Sequence, residues 1–582
     1  MNDLRLTLLE AQRDGNFLEV VVQSARGEKD NREHVTEELI ALHNAGEIDL
    51  IDQFIRLHNK KNTGPDFFLT RNLFEKALPH LNAPIQKVME CVAHLVKEAG
   101  QDMAANWTLN SFIEHCVADP SRANEALSLI KNDPDQWGDF ISPIIVAGTR
   151  DDLKYYFAET VNLASHEKIE IRKRAVYALG RINYQHNSEL LNEAIDCLEK
   201  VVARESDDHL LGNSIKSICS ICRPDHSKSG RAIEILNEAL AKGGDLALHA
   251  ASEEFGFNIN ELPEDLIDII MHYLMRVNPN NKGTLDNIDY GVLKLLERDD
   301  PNSGIEFLEN LLLANAESLT LKSFDSAIHG ILGSKTNILN KIITRWLLKG
   351  DRVLCEGIRE ILHSIHGNDL VVELDTSELS QAESMQYMFI ARKTIGYLFF
   401  KPVTCASIII SLMRQTNDLD LVKELGSLLF DPLLLNYSGS LYEYLKSQVD
   451  NESGETKTVI LSSLREFDSY LEGLKSVGRI PEMFSSQDHR DAHARHLNQL
   501  FSEPYKEAMK NSIVNLICTK SLLLYGRKSI NYFQHPTSGP QRTELELKNH
   551  GTEVEFPRQE HLDPFGLDYM LRLFRAEKQR IT

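Results

Sequence analysis

The sequence predicts an all-α fold: a right-handed α-solenoid of helical hairpins, followed by a small C-terminal helical module that contains one β-hairpin. Three observations carry this. Helices with a shared internal pattern recur along the chain, amphipathic segments alternate with short polar connections, and only 18 prolines interrupt a chain that is 42% hydrophobic. A length of 582 residues would otherwise suggest several globular domains. A stack of hairpins needs none, because each unit packs only on its neighbours and the core grows linearly.

The clearest unit is the run from Glu167 to Ile182, where Arg172, Ala175, Val176, Ala178 and Leu179 fall at helical spacing before Gly180. Small alanines admit a neighbouring helix closely while Val176 and Leu179 fill the contact between layers. With Ala175 as a phase marker, comparable inner helices follow at 209–221 (Asn213 or Ser214), 245–255 (Ala250), 287–296 (Gly291), 321–332 (Ala327), 351–365 (Gly357) and, after a longer gap, 402–413 (Ser407). The offsets average about 39, nearer the period of HEAT and armadillo units than the 34 of tetratricopeptide repeats. Between the markers, residues 188–203, 231–241, 262–275, 304–314 and 336–348 carry apolar stripes at helical period and supply the outer layer.

The expected divisions are an N-terminal helical cap over 1–80, the solenoid over 81–445, a helical module over 446–533 and a final segment over 534–582. After Leu445, residues 450–456 look like a polar linker, and 457–474, 485–501 and 506–525 look helical. Residues 534–540 have loop composition. Alternation on both sides of Asn549-His-Gly551 predicts a β-hairpin over 543–556 with Leu545, Leu547, Val554 and Phe556 inward, before a last helix over 567–578.

The residues Ile169–Ile182 resemble the second helix of HEAT-type repeats, which carry a basic residue, an alanine and an Ala-Leu-Gly ending. This resemblance covers residues 80–445 as an architecture. It implies a scaffold with a binding surface for other proteins, although a few such proteins bind nucleic acid or modify bases.

Composition narrows the function. The formal charge of −23 opposes broad binding to nucleic acid or anionic membrane. From Pro481 onward about 14 basic residues balance about 13 acidic ones, so the excess lies earlier. No basic start with an apolar run opens the sequence, no stretch reaches the length of a membrane span, and eight scattered cysteines fit reduced core thiols; a cytoplasmic protein is expected. No cofactor motif is present: there is no phosphate-binding GxxxxGK[ST], no dinucleotide GxGxxG after a strand and no GxSxG elbow. Cys219-Ser-Ile-Cys222 lacks a second pair and ends a helix, which favours core thiols.

The favoured reading is a non-enzymatic scaffold for one or more protein partners. Arg172, Lys173, Arg174 and Arg181 form a basic patch suited to an acidic segment of a partner. A multi-protein setting such as phage defence is compatible with a scaffold, but no residue points to it. The alternative is a nucleic-acid contact through Tyr525, Arg527, Lys528, Arg572, Arg575 and Lys578, where cations meet phosphate and aromatics stack on bases. A further alternative is a metal site, since a helix stacks His489, His493 and His496 on one face.

Overall fold

The computed structural model describes residues 2–26, 29–59, 66–100, 105–184, 187–224, 229–333, 338–365, 370–478, 486–510, 518–524, 528–535, 539–546 and 555–579. They form two compact units, 1–339 and 340–582. Almost all described secondary structure is helical, and no described helix is long and apolar enough to cross a membrane.

In the first unit, side chains and caps show why each hairpin forms. Asp152, Asn187, Asp207 and Asn281 each accept a backbone N–H in the first turn of the helix that follows, satisfying donors that a helix start leaves free. The helices then separate into two layers. Ile141–Gly148, Ile169–Leu179, Asp208–Cys222, Asp245–Asn258, Lys282–Leu296 and Asp325–Gly333 pack successively on one another. Leu153–Ala164, Ser188–Arg204, Ser229–Lys242 and Glu264–Leu274 do the same behind them. This is the HEAT-like arrangement, and the phase markers lie in its seam: Ala175, Ser214, Ala250 and Ala327 are all buried.

The seam is held by small residues and by hydrogen bonds from one repeat to the next. Ser217 Oγ donates to the Val176 carbonyl at 2.7 Å, Asn213 Nδ2 to the Lys173 carbonyl at 2.9 Å, and Asn287 Nδ2 to Ser252 Oγ at 3.1 Å. Two aspartates cap the following repeat instead of their own. The Asp208 carboxylate accepts the N–H groups of Gly244, Leu246 and Ala247, and Asp289 accepts those of Ser326 and Ala327 at 2.8 Å. These ties join residues 35 to 41 apart, which is the repeat length expressed in bonds. Similar packing extends toward the N-terminus, where Lys29–Asn44 packs on Phe67–Ala77 and that helix on Ala105–Ala118.

In the second unit Arg352–Ser364, Ser384–Leu398, Pro402–Arg414, Leu419–Leu428, Ser440–Asn451 and Gly454–Val477 pack as further hairpins. The longer gap before Ser407 is explained by a non-helical stretch ahead of Ser384. Its backbone N–H groups at Val372 and Leu374 donate to the hydroxyls of Ser407 and Ser411 at 2.9 Å, and that of Asp375 to Thr344 at 2.8 Å. Buried extended backbone needs such acceptors. Within the polar run 450–456 only Glu452 and Ser453 separate two helices, which end at Asn451 and resume at Gly454. Ser463 Oγ donates to the Gly426 carbonyl at 3.2 Å, so hairpin packing continues past Leu445.

The β-structure differs from expectation. Strands β1 (Cys518–Leu524), β2 (Lys528–His535) and β3 (Gly539–Glu546) form an antiparallel meander in the order β1-β2-β3. The register pairs Ser521 with Asn531 and Tyr532 with Arg542. The helix expected over 506–525 thus ends at Lys510 where described, and its second half is strand. The run Ser-Leu-Leu-Leu is apolar without a period, so composition alone favours helix and strand equally. The residues of the expected hairpin divide as follows: 543–546 belong to β3, 547–554 lie outside the described residues, and Phe556 is exposed instead of inward. In the described residues Gly539–Glu546 pairs with β2 over eight consecutive residue pairs.

The last helix, Pro564–Ala576, docks on Ser384–Leu398 within this unit. Lys393 is buried, and its ammonium donates to the Arg575 carbonyl at 2.5 Å and lies over the Phe389 and Tyr397 rings. Arg575 Nε donates to the Gly396 carbonyl at 2.5 Å, and Arg392 pairs with Glu577 at 2.9 Å. A Cβ at Gly396 would stand 3.1 Å from Arg575 N and 3.2 Å from Phe574 Cβ. Gly396→Leu is therefore expected to release the terminal helix, seen as protease cleavage between residues 555 and 579 at concentrations that spare the parent protein.

Candidate functional site

Extending the repeat phase outward from the buried seam gives two rows of surface residues on four consecutive inner helices. One row is Tyr177, Lys216, Glu253 and Tyr290; the other, one turn on, is Arg181, Ser220, Phe257 and Lys294. Both rows are spaced by 39, 37 and 37 residues. Each repeat contributes i and i+4, Arg181 just past the end of helix Ile169–Leu179 and the other three pairs within their helices, so the rows lie side by side as one ridge.

The ridge is aromatic and charged. Phe257 is 65% exposed, and its ring lies 5.7 Å from that of Tyr290. The Arg181 guanidinium lies 5.9 Å from the centroid of the Tyr177 ring and donates to the Ser142 hydroxyl at 3.3 Å. Lys294 Nζ lies 5.2 Å from the Tyr290 ring centroid. A cleft of about 270 Å³ runs along the ridge, lined by Tyr177, Arg181, Lys216, Glu253 and Phe257. Beneath it Arg223 pairs with Glu254, whose carboxyl is raised by burial against the opposing pull of Arg223. Asn258 Nδ2 also donates to Glu254 at 3.1 Å, so the floor is fixed. Exposed aromatics beside guanidinium and ammonium groups on a rigid support are the side chains that anchor protein interfaces.

The other predicted residues are placed as follows. Arg172 donates to the carbonyls of His166 and Glu167 at 2.9 and 2.8 Å and pairs with Glu205 at 3.0 Å. Lys173 is buried and pairs with Glu170 at 2.9 Å and Asp207 at 3.2 Å, while Arg174 pairs with Asp139. These three cations join neighbouring repeats; Arg181 belongs to the ridge. Tyr525 and Arg527 lie outside the described residues, and Lys528 opens β2. Arg572 is exposed and pairs with Asp568 at 2.8 Å, Arg575 is engaged in helix docking, and Lys578 lines a groove with Glu577, Asp420 and Glu424.

His489 and His496 are exposed on helix Gln487–Lys510, and His493 packs edge-on against His561 at 5.1 Å. Their ligand atoms do not gather within 4.8 Å. Among the described residues a single group of three does so: His58, His94 and Glu98. Cys219 and Cys222 are buried core thiols, with that of Cys219 pushed up by burial.

No family model and no curated protein matches the sequence. Among solved structures, importin beta aligns at 11% identity over 78% of this chain and 74% of its own, with a TM-score of 0.24. A structure of Kap95p with RanGDP aligns at 10% identity over 79% and 64%, with a TM-score of 0.26. An engineered protein aligns at 12% identity over 80% and 99%, with a TM-score of 0.22. Such scores carry no argument about partner or activity. The HEAT-like assignment stands on the packing within this chain.

Proposed function

We propose that this protein is a non-enzymatic scaffold that holds a protein partner on the ridge of Tyr177, Arg181, Phe257 and Tyr290. The observation that carries this is the phased pair of rows: four successive repeats present aromatic and charged side chains at one address, over a fixed floor. The contacting segment would offer an apolar side chain to Phe257 and Tyr290 and a carboxylate to Arg181, whose planar fork suits bidentate pairing. Elsewhere on the partner, basic residues would speed association with a body of charge −23.

A photo-crosslinking residue at position 257, in cells that make the protein natively, tests this. The expected result is a defined protein adduct that is lost on Arg181→Glu. An identical adduct pattern from position 199 on the outer layer, or none from position 257, contradicts it. Truncating an anchor, as in Phe257→Ala, is expected to weaken partner binding about tenfold to thirtyfold, measurable by titration once the adduct is identified.

A further inference from the structure

Helix Ile85–Ala99 places His94 and Glu98 four residues apart on one face. The segment that follows helix Leu50–Phe54 brings His58 to the same spot, so ligand atoms of all three side chains lie within 4.8 Å of one another. His58 Nδ1 is 3.2 Å from the Glu98 carboxylate, and the two imidazoles meet edge to face with centroids 5.2 Å apart.

The three groups are held from behind. His94 Nε2 lies 2.8 Å from the Leu57 carbonyl; donating there leaves the lone pair on Nδ1. The other Glu98 oxygen accepts the backbone N–H of Asn59 at 2.9 Å, and the Asn59 side-chain amide donates to the Glu98 carbonyl at 3.2 Å. Outer hydrogen bonds of this kind orient metal ligands and fix the tautomer of a ligating imidazole.

We propose that His58, His94 and Glu98 form a binding site for one divalent transition-metal ion of the zinc type. Two imidazoles and one carboxylate match the borderline softness of zinc, whereas magnesium and calcium prefer oxygen donors throughout. The half-exposed His58 leaves a path for the ion and room for water in the remaining position. This site shares no residue with the ridge or with the face of His489, His493 and His496.

Isothermal titration of the full, tag-free, metal-depleted chain with zinc chloride tests the proposal, with magnesium chloride as the comparison. The expected result is one zinc ion per chain, at least tenfold weaker in His58→Ala and in Glu98→Gln, and unchanged when His489, His493 and His496 are all replaced by alanine. His58 is a surface side chain, so His58→Ala should keep the metal-free melting temperature while losing the zinc-induced rise. Absence of zinc binding, binding unchanged in His58→Ala, or binding lost in the triple variant would each overturn the proposal.

Discussion

Gly180→Val is expected to cost about 2–6 kcal/mol and to lower the melting temperature of the first unit by several degrees. The cause is close approach, since the backbone of Gly180 is ordinary right-handed helix. A Cβ there would lie 2.5 Å from Ser217 Cα and 2.7 Å from its hydroxyl. Backbone cannot yield as a flexible side chain would, so the helices Ile169–Leu179 and Asp208–Cys222 must part. Overpacking of this kind costs about 1–3 kcal/mol. Separation also breaks the buried hydrogen bond from Ser217 to Val176, worth a further 1–3 kcal/mol or so when a partner is left unsatisfied. Gly473 makes the control, because it lies within helix Gly454–Val477, four residues from its end, with nothing within 4 Å of an added Cβ. Gly473→Ala should instead gain about 0.5–1 kcal/mol. Calorimetry of both variants checks the contrast.

The second large effect concerns pH. His115 is fully buried, its Nδ1 lies 2.8 Å from the Leu78 carbonyl, and Arg122 donates to its backbone carbonyl at 2.9 Å. Burial, and then the Arg122 charge, push the imidazole down to about 4, against about 6.5 in an unfolded chain. A depressed value means the unfolded chain takes up the proton first. The contribution of neutral His115 is therefore complete above about pH 6.5 and declines as pH falls toward 4, reaching a loss of about 3 kcal/mol. Glu75 and Glu254 act with opposite sign: burial raises both, so protonation favours the folded form as pH falls through their raised values. The difference between the parent and His115→Asn isolates the histidine, since Asn Nδ2 can donate to Leu78 in place of Nδ1. The gap in melting temperature between the two proteins should change steadily from pH 7 to 4; a constant gap contradicts the assignment.

Much of the repeat was legible in the chain because its seam is built from small residues at a fixed phase. Ala175, Ser214, Ala250 and Ala327 could be found from their spacing, and all four are buried. Helix Ser384–Leu398 escaped notice because nearly every position in its second half is buried, leaving no polar face to give a period. The meander of β1 to β3 was hidden for a different reason: pairing with neighbouring strands outweighs local composition. The surface shows the same divide. Arg172, Lys173 and Arg174 look like free charge in sequence, but their partners Glu205, Asp207 and Asp139 come from neighbouring elements. Phe257 carried a usable signal, since it falls at the phase of Arg181 two repeats on. Its exposure followed only once the seam fixed which side of the helix faced solvent.

The central claim is that consecutive repeats of the first unit stand side by side at a constant step. Spin labels on cysteines introduced at Tyr177 and Glu253, and separately at Tyr177 and Tyr290, measure that step in solution. Seven of the eight native cysteines are buried, and Cys518→Ser removes the eighth. Packed helices lie about 8–10 Å apart, so the two pairs should give roughly 20 Å and roughly 30 Å respectively, by that same spacing. A 177–290 distance equal to or shorter than the 177–253 distance would mean the helices close around a common centre, and the stack of hairpins with its ridge would be wrong.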